Sequence, residues 1–262
     1  MMKHKKNFFK NLSRQVLLLT VLFFGTSLYA QSTTVAVAAN MNDAFAEINM
    51  AFKADTKNDL KVIYGSSGNF TAQIMNGASF NLFLSADDQF PLELYKNGKT
   101  VDEGRIYAIG KIVLYTKNTS GIKLSDQRDA LVVMIQKANK IAIAKPELAP
   151  YGRAAVEYLK AMGVWDLAKD KLVYGDNISG ATVLVTTGAA DLGITALSLA
   201  KSPNVAKDTN YLIVSDKLYE PIKQRMVLLK NPPADAVYLY QYLQNPKAKA
   251  ILVKYGYALP KY

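Results

Sequence analysis

The sequence predicts an α/β fold with mainly parallel sheets flanked by helices. Three observations predict it. From Gln31 onward, short β-rich runs alternate with segments of helical periodicity, which is the pattern of strand-helix-strand units. The first of those runs, residues 35–39, is apolar throughout, as a strand covered on both faces must be. Polar or glycine-containing turns then lead directly from such runs into helical segments.

Taken in order, residues 35–39 form the first strand. Phe45, Ile48 and Phe52 line one face of the helix that follows, and Asp43 and Glu47 lie near its positive N-terminal end. Leu60, Val62 and Tyr64 alternate as a second strand. A short helix over residues 70–75 comes after the Gly65-Ser66-Ser67-Gly68 turn, and residues 82–86 make a third strand. A second series starts around Tyr107, with strands at 112–115, 141–144 and 192–195 and helices near 154–162 and 181–187. Residues 226–229 read as a late strand, and helices near 234–243 and 247–255 close the chain. No Pro/Gly/Ser-rich linker separates the halves, so two lobes crossed by the chain more than once are expected: 31–110, then 111–215, with 216–262 returning to the first.

Residues 1–30 read as a secretory signal peptide, cleaved near Ala30. Lys3, Lys5, Lys6, Lys10 and Arg14 precede an apolar run from Val16 to Phe24 that is too short to span a bilayer. The formal net charge is +11, and five of the 32 Lys and Arg lie in this leader. The mature chain keeps 27 basic against 21 acidic residues, or +6. The basic residues are scattered, which argues against a nucleic-acid partner and could help draw in an anion. There is no cysteine, hence no disulfide framework, no lipid anchor and no thiolate site. The one histidine, His4, leaves with the leader, which removes histidine-based acid-base catalysis and the commonest zinc or copper ligand. No catalytic residue, cofactor or free-cation site is therefore expected, and the mature chain reads as a soluble monomer exported to the periplasm.

Four places bring a polar or glycine turn to a helix start: Asn40, Ser66-Ser67-Gly68, Tyr151-Gly152 and Ile178-Ser179-Gly180. Helix starts carry unpaired N–H groups and the positive end of the helix dipole, so several converging on one point make an anion site without lysine or arginine. Ordinary capping is the competing explanation for each one. None of the four turns carries Asp or Glu, which favours an anion fully deprotonated at neutral pH, because a protonated one would call for a carboxylate acceptor.

Several stretches together resemble the periplasmic molybdate-binding proteins of ABC importers. They are Val35-Ala36-Val37-Ala38-Ala39-Asn40, Gly65-Ser66-Ser67-Gly68 with Gln73-Ile74, and Asn81-Leu82-Phe83-Leu84-Ser85-Ala86-Asp87. The likeness continues through Pro146-Glu147, Pro150-Tyr151-Gly152, Gly163-Val164-Trp165, Asp191-Leu192-Gly193-Ile194 and Lys254-Tyr255-Gly256-Tyr257. The resemblance implies a two-lobed Venus-flytrap fold that closes over dehydrated molybdate or tungstate and presents it to an inner-membrane ABC importer permease. It also implies the ligand-binding residues: Asn40 and Ser67 as donors, and the backbone N–H groups of Tyr151 and Ile178. Some members carry a tyrosine hydroxyl at the position matching Ala196. Here the Tyr151 ring is the candidate to fill that space and supply the donor.

Other features have plainer readings. Tyr238 and Tyr242, one helical turn apart, read as a stripe on a closing helix rather than a ferric-ion pair. Trp165 reads as packing, and Asp87-Asp88 as a strand-end turn. The rival functions are a sulfate or phosphate binder and, from another class, an exported α/β enzyme with Ser67 as nucleophile, for which no base is in sight.

Overall fold

The apolar run at the start of the mature chain becomes β1 (Thr33–Ala38), in which Val35, Ala36 and Val37 are fully buried. The computed structural model describes residues 33–261, so the expected leader and its cleavage point lie outside the described residues. β1 is flanked in parallel by β2 (Leu60–Gly65) and β3 (Leu82–Leu84), with Val35 opposite both Val62 and Leu82. Next to β3 runs β10 (Ile222–Leu228), antiparallel, and outside it β4 (Arg105–Gly110), also antiparallel.

A second five-stranded sheet is built from β5 (Ile112–Lys117), β6 (Ile141–Ala144), β7 (Leu172–Gly175), β8 (Leu192–Ala196) and β9 (Thr209–Ile213). Its order is β7-β6-β8-β5-β9, against β2-β1-β3-β10-β4 in the first. β6 pairs in parallel with β7 and β8, while β5 runs antiparallel to β8 and β9. Each sheet thus has a parallel block of three strands extended by antiparallel strands at the point where the chain crosses over. The chain leaves the first sheet between β4 and β5 and returns between β9 and β10. The strand at Tyr107 therefore closes the first series instead of opening the second.

Helices cover both faces of each sheet. α1 (Asn42–Thr56) buries Phe45, Ile48 and Phe52 completely and stops at Lys57, which turns left-handed at φ 65. Its apolar face packs with α7 (Ala234–Tyr242) and α8 (Pro246–Lys254), which bring Leu239, Tyr242 and Leu252. On the opposite face, α2 (Ser67–Met75) and α3 (Gln89–Lys96) pack Phe70, Ile74 and Leu94 against Phe83. In the second lobe α4 (Arg128–Lys137) and α5 (Pro150–Ala161) lie on one face, and α6 (Ile178–Thr186) on the other. Each large apolar side chain buried in this way contributes roughly 1.5–3 kcal/mol.

α5 and α6 both begin a turn earlier than expected from periodicity. Pro150 is pre-set for the first helical position, and Asn177 caps α6 by accepting from the Gly180 amide at 2.9 Å. β7 and β9 escaped the pattern because they are half-exposed edge strands, with Tyr174, Tyr211 and Ile213 open to solvent. Tyr242 donates to Asp55 at 2.7 Å and meets the Phe52 ring edge-on, while Tyr238 is half-exposed with its ring 5.8 Å from that of Phe52. No helix among the described residues is long and apolar enough to cross a membrane.

Candidate oxoanion-binding site

All four predicted helix starts lie beyond the carboxyl ends of parallel strands, where open α/β sheets leave a ligand crevice. β1 passes through a 3-10 turn, Ala39–Met41, into α1; β2 leads into α2, β6 into α5 and β7 into α6. Hydrogen bonds join them across the two lobes. Asn42 at the start of α1 donates to the Ser179 hydroxyl in α6 at 3.2 Å. The Gly68 amide in α2 donates to the Leu148 carbonyl ahead of α5 at 2.9 Å. Gln224 on β10 adds a third link, between Asn40 ahead of α1 and Tyr151 in α5. Its Oε1 accepts from Asn40 Nδ2 at 3.0 Å, and its Nε2 donates to the Tyr151 hydroxyl at 2.9 Å.

Capping accounts for only one of the four starts. α6 has its side-chain cap in Asn177, whereas the 3-10 turn before α1, α2 and α5 have none. Ser66 occupies the cap position of α2, yet its buried hydroxyl has no partner. Asn40, Ser67, Tyr151 and Ile178 are each at most 4% exposed, so water does not serve these ends. The amides of Gly68, Gly152 and Gly180 are taken by Leu148, Ala149 and Asn177 respectively. Those of Ser67, Tyr151 and Ile178, in the opening turns, have no intrahelical acceptor to reach.

Side chains add to this donor surplus. The Ala86 amide donates to Ser67 Oγ at 2.9 Å, which leaves the Ser67 hydrogen free to donate in turn. Asn40 Oδ1, Asn42 Oδ1 and Ser66 Oγ are buried without any partner. A buried polar atom left unpaired costs about 1–3 kcal/mol; of these three only the Ser66 hydroxyl can donate, the two amide oxygens being acceptors.

The Asn40 side chain is placed differently from expectation. Both amide hydrogens of Asn40 are committed, one to Gln224 and the other to the Tyr257 hydroxyl at 2.8 Å, so what remains unpaired on its side chain is an acceptor. The Tyr151 ring is buried in the same apolar cluster as Ala196, and its hydroxyl oxygen accepts from Gln224 Nε2, which leaves the hydroxyl hydrogen free to donate. Burial pushes the Tyr107 and Tyr151 hydroxyls well above their ordinary range, so both stay neutral and bring no charge against an anion.

The charged groups nearby are only partly paired. Asp87, just after Ala86, forms an ion pair with Arg153 of α5, whose guanidinium lies 5.4 Å from the Phe90 ring centroid. Burial pushes the Asp87 carboxyl up, and the Arg153 charge opposes that shift. A pocket of ≈ 100 Å³ opens here, lined by Asp87, Asp88, Arg153, Glu157 and Glu220 among others. Four carboxylates to one guanidinium make it a poor place for an anion, so it flanks the oxoanion site and is distinct from it. Among the described residues no group of three or more His, Asp or Glu is placed to hold a metal ion.

Residues 33–258 match the bacterial extracellular solute-binding protein family. The chain belongs to that family. This binding protein is 39% identical over 256 residues to the molybdate-binding protein ModA of Azotobacter vinelandii, covering 95% of this chain and 98% of the relative. It is 37% identical over 244 residues to the molybdate-binding protein ModA of Rhodobacter capsulatus, covering 90% and 92%. The solved structure of the Azotobacter vinelandii periplasmic molybdate-binding protein superposes with a TM-score of 0.80 at 31% identity, covering 88% of this chain and all of that one.

Sequence reasoning missed Gln224, Tyr107, Tyr257, Ser198 and Asn42. Ser198 donates to the Asn40 carbonyl at 2.8 Å, and Tyr107 donates to both Gln224 Oε1 and the Ser85 carbonyl at 3.0 Å. These residues come from distant stretches of chain, and although Tyr257 lies in one of the family-like stretches, nothing local gave any of them a role at the site.

Proposed function

We propose that this protein captures molybdate or tungstate between its two lobes in the periplasm and delivers it to an inner-membrane ABC importer. The observation that carries this reading is the set of buried helix starts without side-chain caps, at Asn40, Ser67 and Tyr151, joined by the capped start at Ile178. A tetrahedral dianion offers four acceptor oxygens. The Ser67 hydroxyl and the amides of Ser67, Tyr151 and Ile178 offer donors, without a lysine or arginine to make binding promiscuous. The names of the relatives agree with this chemistry. The oxoanion is cargo, not a cofactor, and no catalytic step is involved: with no histidine near Ser67, its hydroxyl has no base to activate it.

In this reading residues 31–110 and 216–262 make one lobe and 111–215 the other. The leader is removed near Ala30, and the mature monomer carries no anchor. Closure supplies affinity, and the closed shape is what the permease recognises. Calorimetric titration of ligand-stripped protein with molybdate, tungstate, sulfate and phosphate tests it. Tight binding of the first two is expected, and tight binding of sulfate or phosphate alone would overturn it.

A further inference from the structure

Gln224 is fully buried on β10, where it contacts the two amide-rich sides of the site at once. Its Oε1 accepts from Asn40 Nδ2 and from the Tyr107 hydroxyl, each at 3.0 Å, and its Nε2 reaches the Tyr151 hydroxyl at 2.9 Å. Asn40 Nδ2 spends its second hydrogen on Tyr257, whose own hydroxyl donates to the Asn40 carbonyl at 2.9 Å. The consequence is Asn40 Oδ1, buried and unpartnered. A fully deprotonated oxoanion has no hydrogen to give that atom.

We propose that Gln224 is a positioning residue that sets whether Asn40 offers the ligand a donor or an acceptor, and that oxoanion capture turns the Asn40 and Gln224 carboxamides over together. The inference rests on the oxoanion reading above. A carboxamide keeps its shape when its nitrogen and oxygen change places by a half-turn of the terminal torsion. If both turn, Gln224 Nε2 donates to Asn40 Oδ1 and to the Tyr107 oxygen, and Gln224 Oε1 accepts from the Tyr151 hydroxyl. The Tyr257 hydroxyl donates to Asn40 Oδ1, while Ser198 keeps the Asn40 carbonyl satisfied and Tyr107 gives its hydrogen wholly to Ser85. The side-chain contacts among the two amides and three tyrosines survive with their direction reversed, and the one bond given up is that from the Tyr257 hydroxyl to the Asn40 carbonyl. Asn40 Nδ2 then presents two N–H groups where the unpartnered acceptor stood. Neither amide can turn alone, because that sets two oxygens or two N–H groups against each other at 3.0 Å.

The test is a double-mutant cycle on molybdate affinity, by calorimetry at pH 8, for Gln224→Glu, Asn40→Ala and both together. An ionised glutamate accepts at both oxygens and holds Asn40 Nδ2 toward itself, locking the acceptor outward. Gln224→Glu is expected to weaken binding roughly tenfold or more, with most of that loss gone when Asn40 is already alanine. An equal loss in both backgrounds would mean that the carboxylate acts by charge alone and would overturn the proposal, as would an unaffected Gln224→Glu protein. Nitrogen-15 NMR of the wild-type side-chain amides decides the matter should that variant not fold. Saturating molybdate is expected to shift the NH2 signals of both Asn40 and Gln224, and an unmoved Gln224 pair overturns the coupling. A wild type that gives no heat with molybdate sinks the function itself, a result distinct from either.

Discussion

The Gly68 amide donates to the Leu148 carbonyl oxygen at 2.9 Å, a backbone hydrogen bond that ties the start of α2 in one lobe to the segment ahead of α5 in the other. Both helix starts belong to the proposed site, so the bond holds two of its sides together. Glycine permits the approach. A Cβ at position 68 would lie 3.0 Å from Leu148 Cα, 3.1 Å from its carbonyl oxygen and 3.1 Å from the Phe90 ring.

Gly68→Ala is therefore expected to oppose closure without harming either lobe. Two of the three contacts are backbone atoms, which cannot swing aside, and overpacking of this kind costs about 1–3 kcal/mol. Molybdate affinity should fall roughly five- to 150-fold, while thermal unfolding of the ligand-free protein stays near wild type. Unchanged affinity would mean that the bound lobes meet in some other way.

Ser67→Ala should lower both affinity and ligand-free stability. The Ala86 amide loses its acceptor, the Ser67 oxygen, in a place where water cannot replace it. Stability is expected to drop by about 1–3 kcal/mol in urea unfolding, and affinity to drop further because the free hydroxyl hydrogen is gone. A variant that loses stability but binds normally would make Ser67 a structural residue only.

The four helix starts were legible in the sequence because each is a local event: a strand, a short polar turn, then helical periodicity. Asn40, Ser67, Tyr151 and Ile178 could be named on that basis together with the family resemblance. What could not be read was how their side chains are occupied. Asn40 is held by Gln224 and Tyr257, which lie 184 and 217 residues further along the chain, and nothing near Gln224 in β10 distinguishes it from any strand glutamine. Asp87 illustrates the same limit. Its turn was legible, but its partner Arg153 comes from the other lobe. Edge strands β7 and β9 were missed for a different reason, since half-exposed strands lack the apolar runs that mark buried ones.

Tyr151→Phe separates ring from backbone. The hydroxyl is occupied by Gln224 Nε2, and its removal leaves that buried amide hydrogen unpaired. A stability loss of about 1–3 kcal/mol is expected by urea unfolding. Molybdate affinity should fall by less than about tenfold, because the Tyr151 amide stays in place at the start of α5. A far larger drop in affinity would put the hydroxyl itself on the ligand.

The last prediction concerns Asp87 and pH. Burial raises its folded-state pKa, with the Arg153 charge and hydrogen bonds from Arg153, the Phe90 amide and the Ser85 hydroxyl working against the rise. A carboxyl whose folded pKa lies above its unfolded value weakens the fold while ionised. That penalty is present above the raised pKa and is relieved as pH falls through it, because the folded state then binds the proton more tightly than the unfolded chain. Arg153→Leu removes the largest opposing influence and leaves the carboxylate nearly buried and unpaired. At pH 7 the variant should be less stable than wild type by roughly 1–3 kcal/mol, a value below that for a fully buried pair because Arg153 is itself 30% exposed. As pH is lowered toward the carboxylate range, Asp87 takes up a proton and the difference between variant and wild type should shrink. Urea unfolding at pH 7 and at about pH 4.5 measures both differences. A gap that stays constant, or widens toward acid, would mean that Arg153 stabilises the closed protein through its stacking on Phe90 and not through the charge of Asp87.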